Sequence, residues 1–382
     1  MSEMLVNSNT YFTRQWKIWK LCGIYAEPRL NYKTLYWTYA VLLNIIVTIL
    51  YPLHLSVLIF RNDTLGDDIK NLSIFLTTVA GSIKFLSFAM NLKKMPEIQN
   101  LLNELDARVR SKDERHFYNT ELKMKMKITG NIYLVLYIIV AITAELTTLM
   151  SKERVLLYPA WFPFDWRAST TMYLLAHLYQ IIGISTILTQ NYANETTPGL
   201  LLCLLAGHIK LLALRVAKTS HNCENPQENE LELLRCVRDQ KNLYRLCDLI
   251  EDLVAFPMFV QITIAAANIC VALAALLFYL NDYFNRAYYS LYFFGLFLQI
   301  FPACYFGTEF QMMFDQLPYA VFSSNWMHQS KRYKMHMILF TERALMQRTI
   351  LAGGIVRLNL EAFLSACKGA YSLFAVFLNL KE

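Results

Sequence analysis

The chain has 382 residues, enough for two soluble domains, yet 55% are apolar and only 17% charged, against about 25% charged in a soluble domain. The net charge of +7 lies in stretches between apolar runs rather than on a soluble face with stacking aromatics, so no nucleic-acid partner is expected. Glycine and proline are scarce, at 12 and 10 residues, which argues against a disordered or repeat-built chain.

The first 34 residues are polar and aromatic and hold five basic side chains, Arg14, Lys17, Lys20, Arg29 and Lys33. The apolar run at about 35–60 is too long for a signal-peptide core and lacks a small-residue cleavage site, so it reads as an anchor that stays in place. Further runs long enough for the roughly 20 residues of a crossing follow at about 69–91, 128–149, 170–192, 253–280, 287–313 and 354–379. An eighth, 200–217, follows Pro198-Gly199 and contains His208 and Lys210.

Charge orders these runs. Nine Lys and Arg fall in 92–127, seven in 210–245 and five in 315–348, against one in 61–68, three in 150–169 and one in 281–286. Lys and Arg collect on the cytoplasmic side. The alternation predicts an all-α membrane protein with seven transmembrane helices, its N-terminus cytoplasmic and its C-terminus extracellular. The run 200–217 then continues helix four inside the cell. Asn62-Asp63-Thr64 is a glycosylation sequon in the first outside loop, whereas Asn194-Glu195-Thr196 faces inward and is silent.

Between Glu228 and Leu280 there is no glycine, and Pro257 is the only breaker. Leu231, Leu234 and Val237, then Leu243, Leu246, Leu249 and Leu253, recur at helical spacing. Helices four to six should therefore run past the membrane into a helical cytoplasmic bundle. The expected organisation is a cytoplasmic segment 1–34; helices one to six over 35–313, with 193–252 cytoplasmic; an anchor segment 314–353; and a last helix within 354–382.

No catalytic constellation emerges, so neither an enzyme nor a cofactor is expected. The eight cysteines form no CxxC pair and the seven histidines no HExxH, which leaves no metal motif. Cys223, Cys236 and Cys247 belong to the cytoplasmic part and should stay reduced. The paired cysteines and the Asp-Arg-Tyr and Asn-Pro-x-x-Tyr motifs of G-protein-coupled receptors are missing, and the topology is reversed. Inverted repeats with broken helices, a transporter mark, are missing too.

The last run carries Glu361, Ser365, Lys368, Ser372 and Asn379. At about 100° per residue these fall within roughly 60° of one another. Two readings stand: polar packing against helices of the same chain, or one wall of a water-lined pore built by several copies. At its outer end Leu373, Val376 and Leu380 provide apolar constrictions beside Asn379, a set suited to a gate that closes by dewetting.

Pro318-Tyr-Ala-Val-Phe-Ser-Ser-Asn-Trp326 resembles the insect odorant receptor signature. Leu351-Ala-Gly-Gly-Ile-Val-Arg-Leu-Asn-Leu-Glu-Ala-Phe-Leu-Ser-Ala-Cys-Lys-Gly-Ala-Tyr-Ser-Leu-Phe374 resembles that family's last helix. Length, seven spans and orientation match throughout the chain. The resemblance implies a subunit of a ligand-gated, non-selective cation channel in which four subunits surround a pore lined by the last helix, with the inner parts of helices four to seven extended into a cytoplasmic anchor bundle where subunits meet. Val376 and Leu380 would form the gate and Asn379, Gln in many members, the polar pore position.

The inner loop at about 218–230 is short, unlike the long insertion of the obligate co-receptor, and the C-terminal pattern departs from that of gustatory receptors. The implied role is an odorant-tuning subunit that assembles with co-receptor subunits as a heterotetramer. It would pass cations in the plasma membrane of olfactory sensory dendrites, surrounded by membrane lipid. Small volatile apolar odorants would bind in the outer half, with Phe75, Val79, Ser82, Ile142, Leu146, Tyr173, His177, Tyr288, Tyr292 and Phe293 as candidate lining residues. His177 reads either as a donor to an odorant oxygen or as a hydrogen-bonded helix contact. A gustatory-type channel, or a membrane scaffold without a pore, is the rival reading.

Overall fold

A computed structural model describes residues 6–26, 32–59, 65–150, 154–158, 160–221, 225–279 and 283–381. Asn62 lies outside these residues. In chain order, α1 (Thr13–Leu21) precedes α2 (Lys33–Leu43), which passes through a π turn, Asn44–Leu50, into α3 (Tyr51–Ile59). Then come α4 (Leu65–Asn91), α5 (Met95–Asp106), α6 (Lys112–Phe117), α7 (Lys123–Leu149), α8 (Thr170–Ala217), α9 (Pro226–Ala274), α10 (Tyr283–Phe322) and α11 (Lys331–Ala344). A hairpin of β1 (Leu351–Ala352) and β2 (Val356–Arg357) leads into α12 (Leu360–Lys381).

Helix dominates because a chain in hydrocarbon must satisfy its backbone polar groups within each segment. Among the described residues, six helical stretches are long and apolar enough to cross a membrane: α2–α3, α4–α5, α6–α7, α8, α9 and α10. The 22 residues of α12 span about 33 Å at 1.5 Å per residue, also enough for a core roughly 30 Å thick. On α7 the exposed residues Ile128, Ile132, Val135, Ile139 and Ile142 recur every three or four positions, a stripe that meets lipid. Tyr133, Tyr137 and Ala144 on the other side are buried.

The longest helices cross two layers. The 48 residues of α8 reach about 72 Å, more than twice the hydrocarbon thickness. Ser169 caps its start, its Oγ accepting from the Met172 N–H at 3.2 Å. The apolar run 200–217 continues this helix without a turn, and Lys210 pairs with Glu121 at 3.1 Å while lying over the Phe117 ring. The 49-residue α9 starts at an Asn225 cap with Pro226 in its first turn, where a missing N–H is harmless.

The largest apolar cluster lies at one end, called basal here. It joins Trp19 of α1, Leu102 of α5, Leu205 of α8, Leu246 of α9, Phe310 of α10 and Phe340 of α11. A polar knot fastens the N-terminal segment there. Asp106 accepts from the Ser8 N–H at 2.6 Å and from Ser8 Oγ at 2.8 Å, and Tyr118 OH lies 3.0 Å from the same Oγ. Arg215 of α8 binds Glu114 at 2.8 Å, Asp239 at 2.7 Å and the Arg108 carbonyl at 3.0 Å. Burial alone would lower the Arg108 pKa. Its hydrogen bonds to Asp239 and Glu232 win and hold it above the usual guanidinium range. Burial pushes the Cys22 thiol up to about 12.

One boundary needs correction. The sequence suggests a last span from about 354, but residues 351–357 form the hairpin and α12 starts at Leu360. Gly353 and Gly354 have φ of +61° and +72°, which closes a turn that other residues adopt only under strain. The Gly353 N–H donates to the Ala255 carbonyl at 2.9 Å, docking the turn on α9. Asn359 then caps α12, its Oδ1 accepting from the Ala362 N–H at 3.0 Å.

Candidate functional site

At the end opposite the basal cluster, the apical end, a second cluster gathers aromatic side chains. It includes Tyr51 of α3, Ile74 of α4, Ala144 of α7, Ile187 of α8, and Tyr288 and Tyr289 of α10. Tyr158, from the loop before α8, completes it. Both ends of the Gln180 amide hold that loop. Its Nε2 donates to the Tyr158 carbonyl at 2.8 Å, and its Oε1 accepts from the Tyr158 N–H at 3.4 Å. Tyr158 OH lies 3.3 Å from Tyr288 OH. Burial raises the Tyr158 pKa more than this hydrogen bond lowers it, so the phenol stays neutral.

Beneath the tyrosines is a polar layer. Tyr292 OH lies 2.6 Å from Thr77 Oγ1 and 3.2 Å from the Ser73 carbonyl, while Asn268 Nδ2 donates to Thr77 Oγ1 at 2.9 Å. Asn268 Oδ1, Ser73 Oγ and Ser82 Oγ are buried without a partner among the described residues. Such orphans cost free energy and are what a ligand with a hydrogen-bonding group would satisfy.

Deeper still, Lys84 Nζ donates to Glu195 Oε1 at 2.8 Å and also to Gln261 Oε1. Tyr137 OH donates to the other Glu195 oxygen. Gln261 Nε2 donates to Gln299 Oε1 at 2.9 Å. This network ties α4, α7, α8, α9 and α10 together. The Lys84 and Glu195 side chains are only 4% and 2% accessible, so each needs the other. A cavity of about 10 Å³ joins this network to Thr77 and Asn268, room for about one water.

The candidate lining residues divide. Tyr288 and Tyr292 are inside the cluster and its polar layer. Phe75, Val79 and Ser82 are half-buried on α4. Ile142 and Leu146 require correction. They are 54% and 45% exposed on the outer stripe of α7, whose inner face is Tyr137 and Ala144. Phe293 turns toward α12, packing with Phe297, Ile269, Leu296 and Ala370. Tyr173 stacks on His177 and donates to the Val155 carbonyl at 3.0 Å. His177 Nε2 lies 3.0 Å from Glu145 Oε1, so the helix contact is the reading the geometry takes. Sequence reasoning missed Ser73, Thr77, Tyr158 and Asn268. Asn194 of the second sequon is buried and closed to modification.

On α12 the burial pattern separates the readings of the polar stripe. Ala362, Ala366, Ala370 and Phe374, four residues apart, are buried against the rest of the chain. Glu361, Ser365, Lys368 and Ser372 are exposed, so they do not serve packing within the chain. Leu373 and Val376 are exposed as well. The backbone helix continues through Asn379 and Leu380, whose side chains lie outside the described set. Tyr292 touches both the apical cluster and the group containing Ala370. Among the described residues no three His, Cys, Asp or Glu side chains gather to hold a metal.

The fold and its span-length helices define an all-α membrane protein. A family model described as 7tm Odorant receptor matches residues 64–371. Odorant receptor 59a of Drosophila melanogaster is 38% identical over all of both chains. Odorant receptor 23a of the same species is 36% identical over 96% of this chain and 95% of its own. The insect olfactory receptor OR5 from Machilis hrabei shares the fold, with a TM-score of 0.84 at 16% identity over 97% of this chain and 98% of that one. Its complex with eugenol gives 0.85 over the same shares. The chain belongs to the insect odorant receptor family, whose members are odorant-gated cation channels and not enzymes.

Proposed function

We propose that this chain is the odorant-binding subunit of a ligand-gated, non-selective cation channel that works as a heterotetramer with co-receptor subunits in the plasma membrane of olfactory sensory dendrites. The observation that carries the reading is the division of α12 into a buried alanine seam and an exposed polar stripe. Charged and hydroxyl groups on a membrane helix need water or protein beside them. Symmetric copies around an axis supply both. The gate is then Leu373, Val376 and Leu380, with Asn379 as the polar ring.

The charge alternation supports a cytoplasmic basal end, made of 1–34, 193–252 and 314–353, where subunits meet. The odorant occupies the apical cluster, held by burial of its apolar surface at roughly 25 cal/mol per Å² and oriented by Tyr292, Thr77 and Asn268. Binding opens the gate to the extent that it favours the open state over the closed. Tyr292 carries the coupling, because it belongs to both the pocket and the α12 contact.

The test is current recorded from cells expressing this chain with the co-receptor, under a panel of volatile alcohols, phenols and esters. Odorant-evoked cation current that requires the chain supports the reading, and Val376→Ala or Leu380→Ala should raise the unstimulated leak. Surface-expressed complexes that never conduct, with leak unmoved by either variant, would sink it.

A further inference from the structure

A groove on the membrane face between α7 and α8 belongs to neither the pocket nor the pore helix. It has a volume of about 480 Å³. Leu134 and Ile138 of α7 line one wall and Leu188 of α8 the other, beside Ser185 and Thr189, whose hydroxyl donates to the Ser185 carbonyl within the helix. The basal end is closed by two cations of α1, Arg14 and Lys17. These are exposed and three residues apart, hence on one helix face. Arg14 Nη1 donates to Asn131 Oδ1 at 3.2 Å, which sets α1 beside α7 one turn basal of Leu134. Among the described residues neither cation forms an ion pair.

An ordinary lipid-facing helix surface is apolar throughout and offers no fixed charge. Here a largely apolar slot ends at two cations that have no ion pair among the described residues, the arrangement a single phospholipid would fill. One acyl chain lies in the slot and the anionic headgroup meets the cations, whose alkyl stems reach along the interface. We propose that this groove is a binding site for one anionic phospholipid of the inner leaflet. The leaflet assignment rests on the orientation proposed above, because the cytoplasmic leaflet carries the anionic lipids. The floor of the groove includes Tyr137, whose hydroxyl holds Glu195. The lipid therefore sits one side chain away from the buried network beneath the odorant pocket.

Native mass spectrometry of the delipidated full chain in detergent, titrated with palmitoyl-oleoyl phosphatidylserine or phosphatidylcholine, tests the site without reference to orientation. Wild type should retain one phosphatidylserine in preference to phosphatidylcholine, and millimolar inorganic phosphate should not displace it. Arg14→Ala with Lys17→Ala should weaken phosphatidylserine binding about 25-fold, roughly fivefold per cation, and leave phosphatidylcholine binding unchanged. Ala141→Phe, at the apical end of the slot, should weaken both lipids with the cations intact. Equal binding of the two lipids by wild type overturns the proposal, as does a phosphatidylserine preference that survives loss of both cations, or lipid binding that Ala141→Phe leaves unchanged. A bound second protein helix in place of lipid overturns it too. Antibody labelling of the N-terminus in intact cells tests the orientation separately.

Discussion

Lys84 and Glu195 show what single residues do here and what a sequence hides about them. They are 111 positions apart, and each alone looks like an expensive charge within an apolar run. Only the fold reveals the partner, and removing one member leaves the other buried and uncompensated. Glu195→Gln should lower stability by about 3–5 kcal/mol, read as a fall in thermal midpoint in detergent. Replacing both, Lys84→Met with Glu195→Leu, should restore most of it. An unchanged midpoint for the single variant would mean that water reaches the pair. The apical cluster was partly legible for a related reason. Tyr288 and Tyr292 stand out as polar aromatics in an apolar helix. Ile142 and Leu146 mislead because a helix in lipid is apolar on both faces, so periodicity does not separate the packed face from the outer one. Thr77 and Asn268 carry their meaning in a contact between α4 and α9 that no local pattern announces.

Among the elements, α12 is where spacing read best. Steps of four and three placed Glu361, Ser365, Lys368 and Ser372 on one face, and the structure leaves that face exposed. The start of the helix was less legible, since Ile355 and Val356 continue an apolar run while the two glycines before them turn the chain. The alanine seam makes a prediction of its own. Small residues let the backbones approach, so Ala366→Leu should cost about 1–3 kcal/mol through overpacking, measured by thermal unfolding. Cysteine at Ser365 or Ser372 should react readily with a water-soluble thiol reagent in the membrane-embedded channel, and cysteine at Ala366 should not. Reaction at Ala366 as fast as at Ser372 would mean that the helix is rotated in the assembly.

For the molecule as a whole, the long helices were legible because length alone decides them. The 48 and 49 residues of α8 and α9 exceed any bilayer and must build something beyond it. The attachment of the N-terminal segment was not, because Ser8 meets Asp106, Tyr118 and His208 across most of the sequence. Asp106→Ala strips the acceptor from the buried Ser8 N–H and should cost about 1.5–3 kcal/mol. Limited proteolysis should then cut the first 25 residues while the rest of the chain stays protected. Protection unchanged would mean that the packing of Trp19 suffices to hold the segment.

The basal and apical clusters share no residue, although α8 runs through the level of both. Natural recombination between related genes, or a laboratory chimaera, therefore has a seam to use near the level of Lys84 and Glu195. Segments above it can be exchanged with the apical cluster kept whole, while those below keep their partners.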